Sequence, residues 1–320
     1  MSIVTLTLNP ALDLYATIET IEPERKLHCG PVETTPGGGG VNVARAVHRL
    51  EGSATAIVAL GGTAGIGLRD QLRDEGVVVV PVEVRGTTRQ DLTVTETTSG
   101  RQYRFVLPGA AIDHDEIERC AAEVMGRLDP GAIVVVSGSM PPGVEAADLA
   151  AIVTAVRERG GKAVVDTSGP LLAAAAEAGV HVLKPSLHEL AAHAGRSLES
   201  LPQITGAAEQ LMRSGPNTAA LVSLAARGAL LVARDEVPLL ITPPAVAVSS
   251  VLGAGDSLVA GLVVAMQRGA TLPEAARYGV ACGTAAVMGA GHTLCAPADV
   301  ATIVRDVVVS PLALADLSLS

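Results

Sequence analysis

Val251-Leu252-Gly253-Ala254-Gly255-Asp256-Ser257 places two glycines and a carboxylate at the start of an apolar segment, Leu258 to Met266, that reads as a helix. Backbone N–H groups at a helix start lack intrahelical partners and together carry about half a positive charge, so they attract anions. Glycine removes the Cβ that would keep an anion at a distance. A carboxylate there would repel a static phosphate, but it suits a hydroxyl that must lose its proton as negative charge builds beside it. Anion hole plus base points to group transfer onto an alcohol. Taken alone, the same run is equally a tight turn with Asp256 capping the helix.

A second glycine-rich run, Pro36-Gly37-Gly38-Gly39-Gly40-Val41-Asn42-Val43-Ala44-Arg45, also precedes a helix pattern. So many glycines suggest close approach of backbone to a ligand, with a flexible turn as the plainer reading. It is neither a Walker A loop nor a dinucleotide fingerprint. The amide of Asn42 suits a hydroxyl-rich ligand, and Asp13, just past the first strand pattern, could take two hydrogen bonds from a sugar diol. Lys26, Arg89 and Arg104 are candidate phosphate contacts, each otherwise a solvated surface charge. Three further strand patterns end in small polar turns: Ser137-Gly138-Ser139, Lys184-Pro185-Ser186 and Ser223 to Gly228. Glu189, shortly after the second, could orient hydrated Mg²⁺.

The elements that must hold these residues alternate. Ile3–Leu8, Ala54–Ala59, Ala132–Ser137, Ala163–Asp166, His181–Lys184, Ala219–Ser223 and Ala229–Ala233 read as strands, mostly apolar throughout and so buried on both faces. Val41–Leu50, Gly67–Glu75, His114–Leu128, Ala146–Arg159, Leu187–Ala194, Ile204–Ser214, the stretch from Asp256 and Pro273–Met288 read as helices. This predicts an α/β fold with a doubly wound, mostly parallel sheet. Residues 12–35 and 85–106 break the rhythm with strand-like segments and no helix, and 91–106 reads as a hairpin turning at Thr98-Ser99-Gly100. We therefore expect a large α/β domain (1–11, 36–84 and 107–320) carrying a small β-sheet that serves as lid, dimer interface or both. Pro311–Ser320 reads as a tail.

Composition excludes several classes. Hydrophobic residues make up 48% of the 320, so a large core is available and disorder is not expected. With only Tyr15, Tyr103, Phe105 and Tyr278 as aromatics and a net charge of −10, there is neither a base-stacking platform nor a basic footprint for nucleic acid. No apolar run is long enough to span a membrane. Cys29, Cys120, Cys282 and Cys295 show no metal-ligand spacing, and the N-terminus has no basic leader, so a cytoplasmic location is expected.

Together these segments resemble the PfkB/ribokinase family of sugar kinases from residue 3 to about 300. The residues that carry the resemblance are Pro36 to Ala46, Arg25-Lys26-Leu27-His28-Cys29, Thr88-Arg89-Gln90-Asp91-Leu92, Gln102 to Val106, Ser137 to Gly143 and Gly253 to Asp256. The sugar-side segments are most similar to the PfkB-type 6-phosphofructokinases. The resemblance implies a ribokinase-like fold, ATP as donor, Mg²⁺ and a monovalent cation such as K⁺ as cofactors. It implies Asp256 as base and Gly253, Ala254 and Gly255 as anion hole. Asp13, Lys26, Gly38, Gly39, Gly40, Val41, Asn42, Arg89, Arg104 and Ser139 fall on sugar-phosphate positions. Lys184, Ser186, Ser223, Ala225, Arg227, Gly228, Val248, Val280 and Thr284 fall on nucleotide positions, and Glu189 on the Mg²⁺ one. Ser250, Leu252, Ala286, Gly289 and Gly291 fall on the monovalent-cation loops. The chain departs from the family at Ser186, where asparagine is usual, and at Ala225, where a glycine-like residue is.

The expected reaction is phosphoryl transfer to the 1-hydroxyl of fructose 6-phosphate. Tagatose 6-phosphate or fructose 1-phosphate as acceptor, or a catalytically weak sugar-phosphate sensor, are the alternatives; a nicotinamide dehydrogenase lacks its fingerprint. Gly39-Gly40, where a lysine is expected in the rival kinases, favours the first. Residues 85–106 carry Arg85, Arg89, Arg101 and Arg104 against Asp91 and Glu96, and Arg89 is the first choice for the phosphate clamp. Alternation puts Tyr103, Phe105 and Leu107 on one strand face, which a second copy would cover in a homodimer.

Overall fold

The computed structural model describes residues 1–289 and 293–312. The chain begins with β1 (Ile3–Thr7), then leaves the main body as β2 (Ala11–Ile18) and β3 (Glu33–Gly37) before α1 (Gly39–Arg49). It continues through β4 (Ala54–Leu60), α2 (Gly62–Asp74) and β5 (Val78–Glu83), makes a second excursion as β6 (Leu92–Glu96) and β7 (Gln102–Phe105), and returns as α3 (His114–Met125). The regular α/β part follows: β8 (Ile133–Ser137), α4 (Ala146–Glu158), β9 (Lys162–Asp166), α5 (Pro170–Ala178), β10 (Val182–Leu183), α6 (Leu187–Ala194), α7 (Leu201–Arg213) and β11 (Ala219–Ser223). After β12 (Ala229–Ala233) and β13 (Leu239–Thr242) come α8 (Ala254–Gln267), α9 (Leu272–Met288), α10 (Pro297–Asp306) and β14 (Val308–Pro311).

The large sheet runs β14-β13-β12-β11-β10-β9-β8-β1-β4-β5; it is parallel from β5 to β11 and antiparallel beyond. Aliphatic cores cover both faces: α1, α2, α8, α9 and α10 pack on one, α3 to α7 on the other. Strand order reverses between β1, which leads out to β4, and β8, which leads the other way to β9. A crevice must open there at the carboxyl ends. Asn9 Nδ2 donates to Ser139 Oγ at 3.1 Å across this point, tying the two strand ends together.

The four-stranded sheet, in the order β3-β2-β6-β7, is built from the two excursions. Leu12 N donates to Arg89 O and Leu14 N to Asp91 O, so its parallel β2/β6 pair begins right at the main body.

The structure adds elements that the sequence pattern hides. Val78–Glu83 is an edge strand despite Pro81, because an edge tolerates a missing donor. Helix α2 starts at Gly62 rather than 67, since its three glycines mask the helix pattern. Helix α5 opens with Pro170 at its first position, where the absent N–H costs nothing. Strand β7 ends at Phe105, so Leu107 lies past it, its N–H donating to Asp91 Oδ1 at 3.0 Å. Of the expected tail, Pro311 closes β14 and Leu312 is buried; 313–320 lie outside the described residues.

Candidate active site

Asp256 sits in the first turn of α8, whose start is made by Gly253 in the left-handed region at φ 72°. Only glycine enters that region without a Cβ penalty. Asn42 Nδ2 donates to Asp256 Oδ2 at 2.9 Å from the facing helix α1. Burial, reinforced by the like charge of Asp166, pushes the Asp256 carboxyl up to about 6, while Asn42, Lys184 and Arg104 pull against it. A carboxyl so poised is an ion at neutral pH and still a competent proton acceptor. A Cβ on Gly255 would stand 3.6 Å from Lys184 Nζ and meet nothing else within 4 Å, so the helix start opens on free space beside a cation.

Asp256 and Gly253 share a cleft of about 490 Å³, open to solvent, with Asp13, Asn42 and Arg104. Arg45, Tyr15 and Thr35 also line it. Asp13, on β2, is likewise raised to about 6, by burial and by Asp91, against Arg104, Arg89 and Arg45. One of its oxygens, Oδ1, is buried with no hydrogen-bond partner among the described residues, an acceptor a hydroxylated ligand would satisfy.

The phosphate candidates separate. Arg104 lines the cleft directly. Arg89 is nearly buried, donates from Nη1 to both oxygens of Asp91, and lines a neighbouring depression with Asn9 and Thr88. Lys26 lies exposed in the connection between β2 and β3 and does not line the cleft. Ser139, at the β8 end, is exposed beside Asn9.

The glycine run is also demanded by packing. A Cβ on Gly39 would strike Ser137 and Gly138, one on Gly40 would strike Thr7 and Leu6, and Gly38 has φ 105°. These glycines let α1 dock against the ends of β1 and β8, and Val41 behind them is fully buried. They also bring Asn42 to Asp256.

On the nucleotide side, Lys184 Nζ and Asp166 Oδ1 form a buried ion pair at 2.9 Å. Burial pulls Lys184 down, but Asp166, with Glu189 and Asp256, more than offsets this and holds it above its usual value. Asp166 is raised, by burial first, despite Lys184. Its place at the carboxyl end of a buried strand was the signal in the sequence that could have marked it as a site residue. Ser186 caps α6: its Oγ accepts from Glu189 N, and Glu189 Oε2 accepts from Ser186 N at 2.7 Å. Ala225 has φ 51°, left-handed backbone where alanine is strained, which explains the usual preference for glycine there. Ser223 ends β11, and a short turn, Ala225–Arg227, leads to Gly228, where a Cβ would strike Ile241. Val280 is buried on α9 and accepts from Thr284 Oγ1, while Val248 is exposed.

The residues present fit MgATP: an open helix start beside Lys184 for phosphates, and Glu189 near Lys184 and Asp166 for a hydrated ion held mainly by phosphate. Among the described residues no cluster of three or more His, Cys, Asp and Glu could hold a metal ion. For the monovalent cation, Ser249 N and Ser250 N both donate to Val287 O, which lays the loop of Ser250 and Leu252 against the last turn of α9 with Ala286 and Gly289. Carbonyls at a helix C-terminus suit a cation. Gly291 lies outside the described residues.

Comparison with known proteins bears on this geometry. The profile of the family described as pfkB family carbohydrate kinase matches residues 6–299. The chain is 42% identical over 298 residues to ATP-dependent 6-phosphofructokinase isozyme 2 of Escherichia coli, spanning 93% of this chain and 96% of that one. Among solved structures, phosphofructokinase-2 from Escherichia coli in complex with potassium superposes with a TM-score of 0.91 at 41% identity, over 95% of this chain and 98% of that one. The complex with fructose-6-phosphate gives 0.89 at the same identity and coverage.

Proposed function

The chain belongs to the pfkB family of carbohydrate kinases, and on that footing we propose that it transfers the γ-phosphoryl group of ATP to the 1-hydroxyl of fructose 6-phosphate. The products are fructose 1,6-bisphosphate and ADP. One observation carries the reading: Asp256, held by Asn42 in the first turn of α8, opens on the same cleft as Asp13 and Arg104. Relatives 39–42% identical over 93% of the chain are ATP-dependent 6-phosphofructokinases, whereas 1-phosphofructokinases match at 27–34%.

The transition state of phosphoryl transfer is loose, so positioning and electrostatics dominate. Asp13 accepts from sugar hydroxyls. Arg104, with Arg89 behind it and Lys26 from the exposed loop, holds the 6-phosphate. Asp256 Oδ2 is held by Asn42, which leaves Oδ1 to orient the 1-hydroxyl and take its proton late in the transfer. The Gly253, Ala254 and Gly255 amides receive the charge of the transferring group. Lys184, Ser186, Ser223, Ala225, Arg227, Gly228, Val248, Val280 and Thr284 line the nucleotide side. Mg²⁺, held through Glu189, would neutralise phosphate charge, and the Ser250, Leu252, Ala286 and Gly289 loop would take K⁺.

The small sheet, with its connections, serves as lid and as a homodimer interface. Leu27, Val32, Phe105, Val106 and Leu107 are all large, apolar and at least 40% exposed on it, a patch a second copy would cover. The four unpaired thiols accord with a reducing cytoplasm. No helix among the described residues is long and apolar enough to cross a membrane.

A coupled ADP-release assay over fructose 6-phosphate, tagatose 6-phosphate, fructose 1-phosphate and fructose tests the reading. Fructose 6-phosphate should give the highest kcat/KM. A preference of more than about tenfold for another acceptor changes the substrate, and binding without turnover makes the protein a sensor.

A further inference from the structure

Arg45, on α1, is a buried arginine three residues past Asn42, and its side chain is only 4% exposed. Nε donates to Glu75 Oε2 at 2.7 Å and Nη2 to Glu75 Oε1 at 2.6 Å, a side-on fork against a carboxylate at the end of α2. Two fixed points set the plane of the guanidinium, and with it the direction of Nη1. Nη1 donates to Pro36 O at 2.7 Å and to Asn42 Oδ1 at 3.5 Å.

We propose that the Glu75–Arg45 pair is a positioning device that fixes the Asn42 side-chain amide, and through it the Asp256 carboxylate, for phosphoryl transfer. The inference rests on Asp256 being the base. An arginine has donors only, so it meets the oxygen of the Asn42 amide and turns the NH₂ toward Asp256, whose Oδ2 it reaches at 2.9 Å. A flipped amide would set N–H against N–H on one side and oxygen against carboxylate on the other. The opposing pairs leave one orientation, locked by a neighbour three residues on along the same helix face. The same Nη1 holds Pro36 O, the start of the glycine run, so the register of α1 against Asp256 is fixed by the same contact.

Two other features set this pair apart from a structural ion pair or a phosphate ligand. A buried ion pair contributes little net stability compared with apolar packing, so stability alone does not account for it. Although Arg45 borders the cleft, four of the five N–H donors an arginine carries are already engaged inside the protein. It acts on the reaction through Asn42.

The test is a double-mutant cycle on the full-length enzyme at saturating substrates. Arg45→Lys keeps the charge and loses the fork. It should lower kcat about tenfold with KM for ATP within about twofold, and should have no further effect in an Asn42→Ala background. Glu75→Gln, at a partly exposed carboxylate, should give the same pattern with a loss of about threefold, and stands in if Arg45→Lys does not fold. Equal factors in both backgrounds would show independent structural damage and overturn the proposal. So would kcat within twofold of wild type, or a rise in KM for fructose 6-phosphate with kcat unchanged, which would make Arg45 a direct ligand. Asp256→Asn is measured alongside: if it keeps turnover, the base assignment fails, a result separate from the coupling of Arg45 to Asn42.

Discussion

In the ten-stranded sheet, β1, β8 and β12 are buried along their whole length, mostly by aliphatic side chains. The four-stranded sheet buries Asp91, Thr93 and Glu96 instead, and leaves Phe105 exposed. The first derives its rigidity from area removed from water, which is indifferent to which aliphatic side chain supplies it. The second is held by directed contacts: Arg89 on Asp91, and Glu96 Oε1 accepting from Ile21 N at 2.8 Å. The comparison teaches a division of labour. The large sheet fixes where Asp256 and Gly253 stand, and the small one brings Asp13 and Arg104 to the same cleft.

The largest break falls on the large-sheet side. Asp256→Asn should lower kcat by roughly 10²–10⁴-fold while leaving sugar-phosphate binding nearly intact, read by steady-state kinetics and calorimetric titration. Turnover within a few-fold of wild type would remove Asp256 from the role of base.

A break on the small-sheet side should act on KM instead. Arg104→Ala should raise KM for fructose 6-phosphate about ten- to a hundredfold with KM for ATP nearly unchanged, since a charge-assisted phosphate contact contributes about 1.5–3 kcal/mol. Arg89→Ala should give the smaller rise, because Arg89 Nη1 already engages both oxygens of Asp91. If either variant weakens ATP rather than the sugar phosphate, the small sheet is not the clamp.

Acid sharpens the comparison, because Asp13 and Asp256 lie on opposite sides of the cleft and both sit near 6. The base must be ionised, so kcat/KM should fall about tenfold per pH unit below about 6. Stability runs the other way. Carboxyls raised in the folded state favour the protonated form, so their contribution is complete below about 4 and is lost as pH rises through about 6. Asp256→Asn should therefore melt above wild type at pH 7, with the gap closing toward pH 4. A gap independent of pH would refute the raised carboxyl.

The smallest effect on the protomer itself is expected from Phe105→Asp. It should halve the mass seen by light scattering at micromolar concentration and leave the melting of each protomer nearly unchanged. A wild-type monomer would discard the interface.

Much of this was legible because the signals were local. Seven strands, all within one residue of their ends, follow from apolar runs, and α6 is framed by its Ser186–Glu189 capping pattern. Gly253 and Asp256 could be placed because a helix start is written in a few adjacent residues. Elements that break their own pattern were hidden: β5 by Pro81, the first turn of α2 by its glycines, and β13, β14 and α10 by their shortness or late position.

By itself the sequence determined that the protein is a doubly wound α/β molecule with two glycines and a carboxylate at one helix start, because periodicity and capping act over a few residues. Only the tertiary structure decided that Arg104 rather than Arg89 faces the cleft, that Asp166 pairs with Lys184, and that Arg45 spends its donors on Glu75, Pro36 and Asn42. Each of those choices depends on how separate elements pack: β9 against β10, α1 against α2, and the small sheet beside the cleft. The partner of a charge is set by what stands within about 3 Å of it in space, which spacing along the chain does not encode.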